Sequence, residues 1–384
     1  MTSGAKTFWG AVAVVAVVVL VVWGASKGGD GGTEKIGVSL PLTGDGATYG
    51  VPLQRMIQMA QEKINAEGGV KGKPLDLVFE NDNCNGKDAA TAAQKLISID
   101  KVPVILGSVC SGALLGFAPI AEQNGVLVMG IGASNPDIKT AGDYIFRLYP
   151  SDAMAGVVMA KYAYEKLNHK KVAMVAEQTP YSQGLSGVFK EAFEKAGGMV
   201  VLNENYPSGE TDFRTIAAKV KSSGAEAVYP VPQTPAVGGL IMKQFRAAGV
   251  TVPFYGTDVT TAPSFAKDNA KDADGMVGVT LAFDPNQDDA TKALFAEYKT
   301  RYNEDPPYPN FMAIAYDATM MMKDGINKVG WNADKLKGWL YGLEKWDGIY
   351  KGMHFDQDGE PLGHRFSVQT AMNGELKEME IFTP

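Results

Sequence analysis

Ser264-Phe265-Ala266-Lys267 is the segment with the plainest chemical spacing in this sequence. A serine three positions before a lysine is the S-x-x-K arrangement, in which the amine takes the hydroxyl proton for acyl transfer. That chemistry needs S-D-N and K-T-G partners, and the sequence contains neither triplet. Gly130-Ile131-Gly132 opens a dinucleotide fingerprint, but Asn135 stands where the third glycine belongs. The run Gly107 to Gly112 has the wrong spacing for a nucleophile elbow, and no P-loop occurs. Asp356-Gln357-Asp358-Gly359 lacks the terminal glutamate of a calcium loop and reads as a hairpin turn, with His354 and His364 as exposed or capping imidazoles beside it. Three histidines and two cysteines in the whole chain supply little for a metal site or a thiol enzyme. The expectation is binding without catalysis, metal or cofactor.

Binding chemistry is more plentiful, and it collects in loops that lead from strands into helices. Ser111, in Ser108-Val109-Cys110-Ser111-Gly112, is placed as a helix N-cap. The free amides beyond it form a seat for a carboxylate. Gly130-Ile131-Gly132-Ala133-Ser134-Asn135-Pro136 follows the next strand; Gly132 lets a ligand approach the backbone, and Pro136 suits a first helical turn. Tyr181 and Gln233 sit in two further loops, and Phe254-Tyr255-Gly256 delivers Asp258 to the same edge. Helix-start amides, hydroxyls, one carboxylate and aromatic walls together suit a zwitterion, with Ser111 at its carboxylate and Asp258 at its ammonium.

These loops need a sheet edge to gather them. From Lys35 onward short apolar runs alternate with stretches of helical period: Ile36–Leu40, then a helix with Leu53, Ile57, Ala60 and Ile64 on one face, then Leu75–Phe79, and so on to Pro253–Gly256. Such an order gives parallel sheets with helices on both faces, and so many strands divide into two lobes. Ligands in such sheets sit at the carboxyl ends of the strands. Toward the end the rhythm changes to helices at Asp289–Tyr302, Asn310–Lys328 and Ala333–Leu343. Short strands follow at Gly348–Phe355, Phe366–Gln369 and Glu375–Ile381, with turns at Asp358-Gly359 and Asn373-Gly374.

Before this region, Phe8 to Ala25 is an uncharged stretch of 18 residues behind Lys6, with Trp9 and Trp23 near its ends. As a helix it spans roughly 27 Å, about one bilayer core. The expectation is an uncleaved anchor helix followed by the Gly-rich spacer 28–32; a signal peptide cleaved at Val22 and Gly24 is the alternative. Either exports the remainder to an extracytoplasmic place, the periplasm or the outer face of the cytoplasmic membrane. There Cys84 and Cys110, 26 positions apart, are expected to form a disulfide. With 36 Lys and Arg against 43 Asp and Glu, the chain carries a formal charge of −7 and no basic block, which excludes a nucleic-acid role.

An ordered series of motifs supports a more specific reading. It runs through Pro41-Leu42-Thr43-Gly44 with Tyr49-Gly50, Ile64-Asn65-Ala66-Glu67-Gly68-Gly69-Val70-Lys71-Gly72, and Asn81-Asp82-Asn83-Cys84. It continues through Gly107-Ser108-Val109-Cys110-Ser111, Ala133-Ser134-Asn135-Pro136, Tyr181-Ser182-Gln183-Gly184, Arg246-Ala247-Ala248-Gly249 and Phe355-Asp356-Gln357-Asp358-Gly359. In these the sequence resembles the type I periplasmic binding proteins of the branched-chain amino-acid (leucine/isoleucine/valine) transport branch. The resemblance implies an α/β fold of two Rossmann-like lobes with parallel sheets, joined by three crossovers and closing like a hinged trap. The expected division is 33–149 with 282–351, and 150–281 with 352–384. It implies a Cys84–Cys110 pair in the first lobe and a ligand carboxylate bound at Ser111 with help from the Ser134 backbone. Gly132, Ser134 and Asp258 then hold the ammonium, Ala133 joins the ligand contacts, and Tyr49, Tyr181 and Gln233 line the side-chain pocket. Gln233 stands where the family often has an aromatic, and Asp258 is shorter than its usual Glu. The function implied is capture of an amino acid by a monomeric solute-binding protein that delivers it to the permease of an ABC transporter. Two alternatives stand beside it: a membrane-anchored sensing ectodomain that signals through a partner, and a site for an amide or small carboxylate.

Overall fold

The computed structural model describes residues 35–383, so the expected anchor helix, its cleavage site and the spacer 28–32 lie outside the described residues. The first half of the fold is built from β1 (Lys35–Leu40), α1 (Ala47–Ala66), β2 (Asp76–Asn81), α2 (Gly86–Ser98), β3 (Val104–Gly107), α3 (Ser111–Gln123), β4 (Leu127–Gly130) and β5 (Ile145–Arg147). Its five strands form one parallel sheet in the order β2-β1-β3-β4-β5. Strands β3 and β4 are buried on both faces, as the continuous apolar run Val104-Ile105-Leu106 requires.

The chain then passes to a second half. This comprises α4 (Asp152–Lys161), β6 (Lys171–Glu177), α5 (Pro180–Lys195), β7 (Met199–Tyr206), α6 (Arg214–Ser222), β8 (Ala227–Val231), α7 (Pro235–Ala247), β9 (Tyr255–Gly256), α8 (Pro263–Asp268) and β10 (Val277–Leu281). Helix α4 ends in a π-turn at Tyr162–Lys166, where its last turn widens. The strands pair as β7-β6-β8, and a parallel bridge from Val228 to Phe254 carries the sheet on to β9 and β10. Next come α9 (Asp289–Tyr302), α10 (Pro309–Val329) and α11 (Ala333–Tyr341), and α10 packs along α1 of the first half. The hairpin β11 (His354–Phe355) and β12 (Pro361–Leu362) follows, then β13 (Phe366–Met372) and β14 (Glu375–Phe382), which extend the second sheet. These last two run antiparallel, so the second sheet is mixed where a parallel one is expected.

The chain crosses from the first sheet to the second at 148–151, leaves the second sheet after Leu281 and rejoins it after Leu362. The β11–β12 hairpin stays with the first sheet because the fully buried Arg147 grips Glu360 with two short contacts, Nε to Oε1 at 2.7 Å and Nη2 to Oε2 at 2.6 Å. The expected strand from Gly348 begins only at His354. Buried Asp317 of α10 accepts the amides of Ile349 and Tyr350 at 2.8 and 2.9 Å, which bends that stretch into a turn. Burial lifts the Asp317 carboxyl to about 7, against the pull of those two amides. Among the described residues no helix is long and apolar enough to cross a membrane.

Candidate functional site

Parallel pairing of Leu106 with Met129 brings the loops after β3 and β4 out side by side. The first leads into α3, whose N-cap is Cys110 and has no side-chain cap. Ser111 is thus the first helical residue, and the helix starts one position earlier than expected. Its buried hydroxyl accepts the amides of Ser134 and Asn135 from the neighbouring loop, each at 3.1 Å, while the Ser108 hydroxyl takes the Cys110 amide. An uncapped helix start presents amide donors and a positive dipole end, the arrangement that receives a carboxylate. The Cys84–Cys110 disulfide, with Cα atoms 5.2 Å apart, anchors that helix start to the loop after β2. From below, Arg147 Nη1 donates to the carbonyls of Ala133 and Asn135 at 3.3 and 2.9 Å, which fixes the loop that carries Ser134.

The second half contributes a carboxylate. Asp258, two residues beyond β9, accepts the Tyr181 hydroxyl at 2.5 Å and the Val259 amide at 3.0 Å. Tyr181 is held in the first turn of α5 by the Thr179 cap and by Pro180 at the helix start. Gln233 is fixed through its amide, which donates to Glu177 Oε2 at 2.9 Å, just before Thr234 caps α7.

Residues of both halves line one small space: Tyr49, Val109, Cys110, Gly132, Tyr181, Gln233, Asp258, Val259 and Phe311. Five of the expected ligand contacts are therefore brought together: Tyr49, Gly132, Tyr181, Gln233 and Asp258. Ser111 and Ser134 stand behind the wall through their mutual hydrogen bond, and Ala133 turns its carbonyl to Arg147. Sequence reasoning missed Phe311, which packs where a Cβ on Gly132 would meet it at 3.2 Å and Val109 at 2.5 Å. Tyr149 stacks on Phe311 with ring centroids 4.6 Å apart. The Tyr49 hydroxyl is buried with no hydrogen-bond partner. The space measures about 20 Å³. That is well below the roughly 300–1,000 Å³ of ligand pockets.

A second carboxylate, also missed, stands close by. Asp152, the first residue of α4 after the first crossing, is clamped to Ser134: the Ser134 hydroxyl donates to Asp152 Oδ2, and the Asp152 amide donates to the Ser134 carbonyl, both at 2.8 Å. Burial and the nearby Asp258 push its carboxyl well above the usual range, with the Ser134 hydroxyl and Arg147 opposing. Asp258 is likewise pushed up by burial, against the hydroxyls of Tyr181 and Tyr149. Arg147 is already paired with Glu360, so the pair lacks a full counter-charge.

The sign of the pH dependence follows. Both folded-state values lie above the unfolded value, so their contribution to the stability of the ligand-free protein is complete below about pH 3.8 and is lost as pH rises through the raised values. Ammonium binding needs the ionised form and runs the other way. Affinity is expected to fall on acidification, starting above the ordinary carboxylate range, and titrations from pH 8 down to pH 4 check it. A flat profile contradicts an ammonium at Asp258.

Ser111→Ala has a separate expected outcome. It leaves the buried amides of Ser134 and Asn135 without an acceptor, at a cost of about 1–3 kcal/mol each. Urea denaturation is expected to show that loss, and affinity for carboxylate-bearing ligands falls more than affinity for their amides. Equal loss for both contradicts a carboxylate seat at α3.

Other features lie apart from this site. A groove of about 590 Å³ between α9, α10 and the 346–351 turn contains Asp317, whose oxygens are already taken by backbone amides. His364 is buried against the Leu148 carbonyl, not exposed, and His354 rests on the Gly352 carbonyl. Among the described residues no cluster of three or more His, Cys, Asp or Glu is placed to hold a metal ion.

Comparison with known proteins gives a consistent picture. The periplasmic binding protein family pattern matches residues 33–375. The chain is 32% identical over 299 residues to the leucine-, isoleucine-, valine-, threonine- and alanine-binding protein of Pseudomonas aeruginosa, covering 78% of this chain and 79% of that one. Among solved structures it resembles a leucine binding protein from Thermotoga maritima, with a TM-score of 0.83 and 27% identity over 91% of this chain and 99% of that one. It also resembles the branched-chain amino acid transporter substrate binding protein of Streptococcus pneumoniae in complex with isoleucine, with a TM-score of 0.82 and 27% identity, covering 92% and 100%.

Proposed function

This chain belongs to the periplasmic binding protein family, and we propose that it captures an amino acid between its two halves and delivers it to an ABC transporter. One observation carries the reading. A single small space has an uncapped helix start on one side and a buried carboxylate, Asp258, on the other. The ligand carboxylate takes the α3 amides, with Ser111 at that helix start; the ammonium takes Asp258 beside Gly132, and Ser134 supports this wall from behind through Ser111 and Asp152. Tyr49, Tyr181, Gln233 and Phe311 surround the side chain, and the unpartnered Tyr49 hydroxyl gains a hydrogen-bond partner. The relatives named above are described as binding leucine, isoleucine, valine, threonine and alanine, and the structure with isoleucine, which suits a pocket walled by aromatic rings and two valines.

The protein works outside the cytoplasm as a monomer, held by or released from the segment 8–25, and hands its ligand to permease subunits. Its lobes correspond to the halves around the two sheets, near the division at 149/150 and 281/282. The open form admits the ligand, and contacts from both halves then favour the closed form. Bound ligand adds RT ln(1 + [L]/Kd), about 2.7 kcal/mol at a hundredfold excess over Kd.

Calorimetric titration of residues 33–384 tests this with leucine, isoleucine, valine, threonine and alanine, alongside leucinamide and 4-methylpentanoate. The amino acids are expected to bind and the two one-ended analogues to bind at least tenfold more weakly. Equal binding of the deaminated acid or the amide contradicts the two-ended grip.

A further inference from the structure

Away from the ligand cavity, the two halves touch through the hydroxyl of the S-x-x-K serine. Ser264 lies on α8, which packs beside β14 of the second sheet. Its Oγ donates to the Pro307 carbonyl at 3.1 Å. Pro307 belongs to the other half: Glu304 of the same loop pairs with Arg55 of α1 at 2.5 Å, and α10 begins two residues later and packs along α1. The hydroxyl of Tyr308 stands beside both Ser264 and Thr48, and its ring packs on Tyr49 with centroids 4.9 Å apart. On the opposite flank Asn135 Nδ2 donates across the cleft to the Pro180 carbonyl at 2.6 Å. A Cβ on Gly184 would come within 2.6 Å of that nitrogen, so the approach there is close.

We propose that Ser264 is a positioning residue that sets affinity by holding the halves closed through the Pro307 carbonyl, without touching the ligand. A hydroxyl that gains a carbonyl partner across the cleft stabilises only the closed form. Apparent affinity scales with the fraction of protein in the binding-competent state, so the latch multiplies affinity for every ligand by one factor. The remaining residue of the motif, Lys267, is exposed, and the serine hydroxyl is committed to a carbonyl. The affinity part of this inference rests on the cavity being the ligand site; the closure part does not.

The test uses the full chain with Ser264→Ala and, as the conservative rescue, Ser264→Thr. Titrations with leucine, valine and alanine are paired with small-angle scattering of the ligand-free proteins. Ser264→Ala is expected to weaken every ligand that binds by a common factor, about three- to tenfold for one neutral hydrogen bond, leaving the ratios between ligands unchanged. Its ligand-free radius of gyration rises above that of the wild type, and Ser264→Thr restores both. Unchanged affinities overturn the proposal, as does a loss confined to some ligands, which would place Ser264 at the ligand itself. Should the wild type bind no amino acid, the functional reading fails and scattering alone decides: a radius unchanged by Ser264→Ala overturns the latch.

Discussion

Asp258→Asn is expected to abolish tight amino-acid binding while making the ligand-free protein more stable at neutral pH. The two effects share one cause. Asp258 is buried beside Asp152, and each carboxyl is pushed toward its neutral form by burial, Asp152 also by the charge of Asp258. Asparagine keeps an acceptor for the Tyr181 hydroxyl and removes the charge. Relief of a poorly compensated buried charge is worth about 1 kcal/mol or more in the ligand-free state. In the complex the same change leaves an ammonium without its carboxylate, which costs about 2–5 kcal/mol, a loss of roughly 30-fold or greater in Kd. Urea denaturation without ligand and calorimetry with leucine measure the two arms. A variant that is less stable and still binds within threefold of the wild type contradicts the assignment.

Removing the disulfide is expected to produce the largest loss of stability. A link across 26 positions restrains the unfolded chain by about 3–4 kcal/mol on the loop-entropy model. Its location adds a functional consequence. Cys110 is the N-cap of α3 and lines the cavity, and Cys84 sits in a left-handed backbone at φ 58° that few non-glycine residues adopt. Cys84→Ala with Cys110→Ala therefore loosens the helix start that receives the carboxylate. The double variant is expected to lose about 3–4 kcal/mol in urea and to bind more weakly than its stability loss alone explains. Stability within 1 kcal/mol of the wild type contradicts this.

Where local pattern and local capping agree, sequence reasoning places elements closely. Helix α9 has the expected bounds and carries its own cap, Asp288, whose side chain accepts the Thr291 amide. Strand β5 escapes because three residues hold no period, and the turn at 348–353 escapes because its cause, Asp317, lies more than thirty positions away on another element. The same divide runs through the site. Gly132, Tyr181, Gln233 and Asp258 are legible because each follows a strand, where α/β sheets collect their ligands. Phe311 follows a helix, so that rule passes over it, although it lies in the first turn of α10. Asp152 becomes a cleft carboxylate only because the first crossing at 148–151 folds it against Ser134. Ser111 is found, but its side-chain partners come from a loop 23 residues further on, which only the side-by-side exit of β3 and β4 brings near.

The most direct measurement is a crystal structure of residues 33–384 grown with leucine. It is expected to show the amino acid enclosed between the halves, its carboxylate on the amides at the start of α3 and its ammonium within hydrogen-bond distance of Asp258. An amino acid bound elsewhere, or bound there with its ammonium turned away from Asp258, contradicts the account.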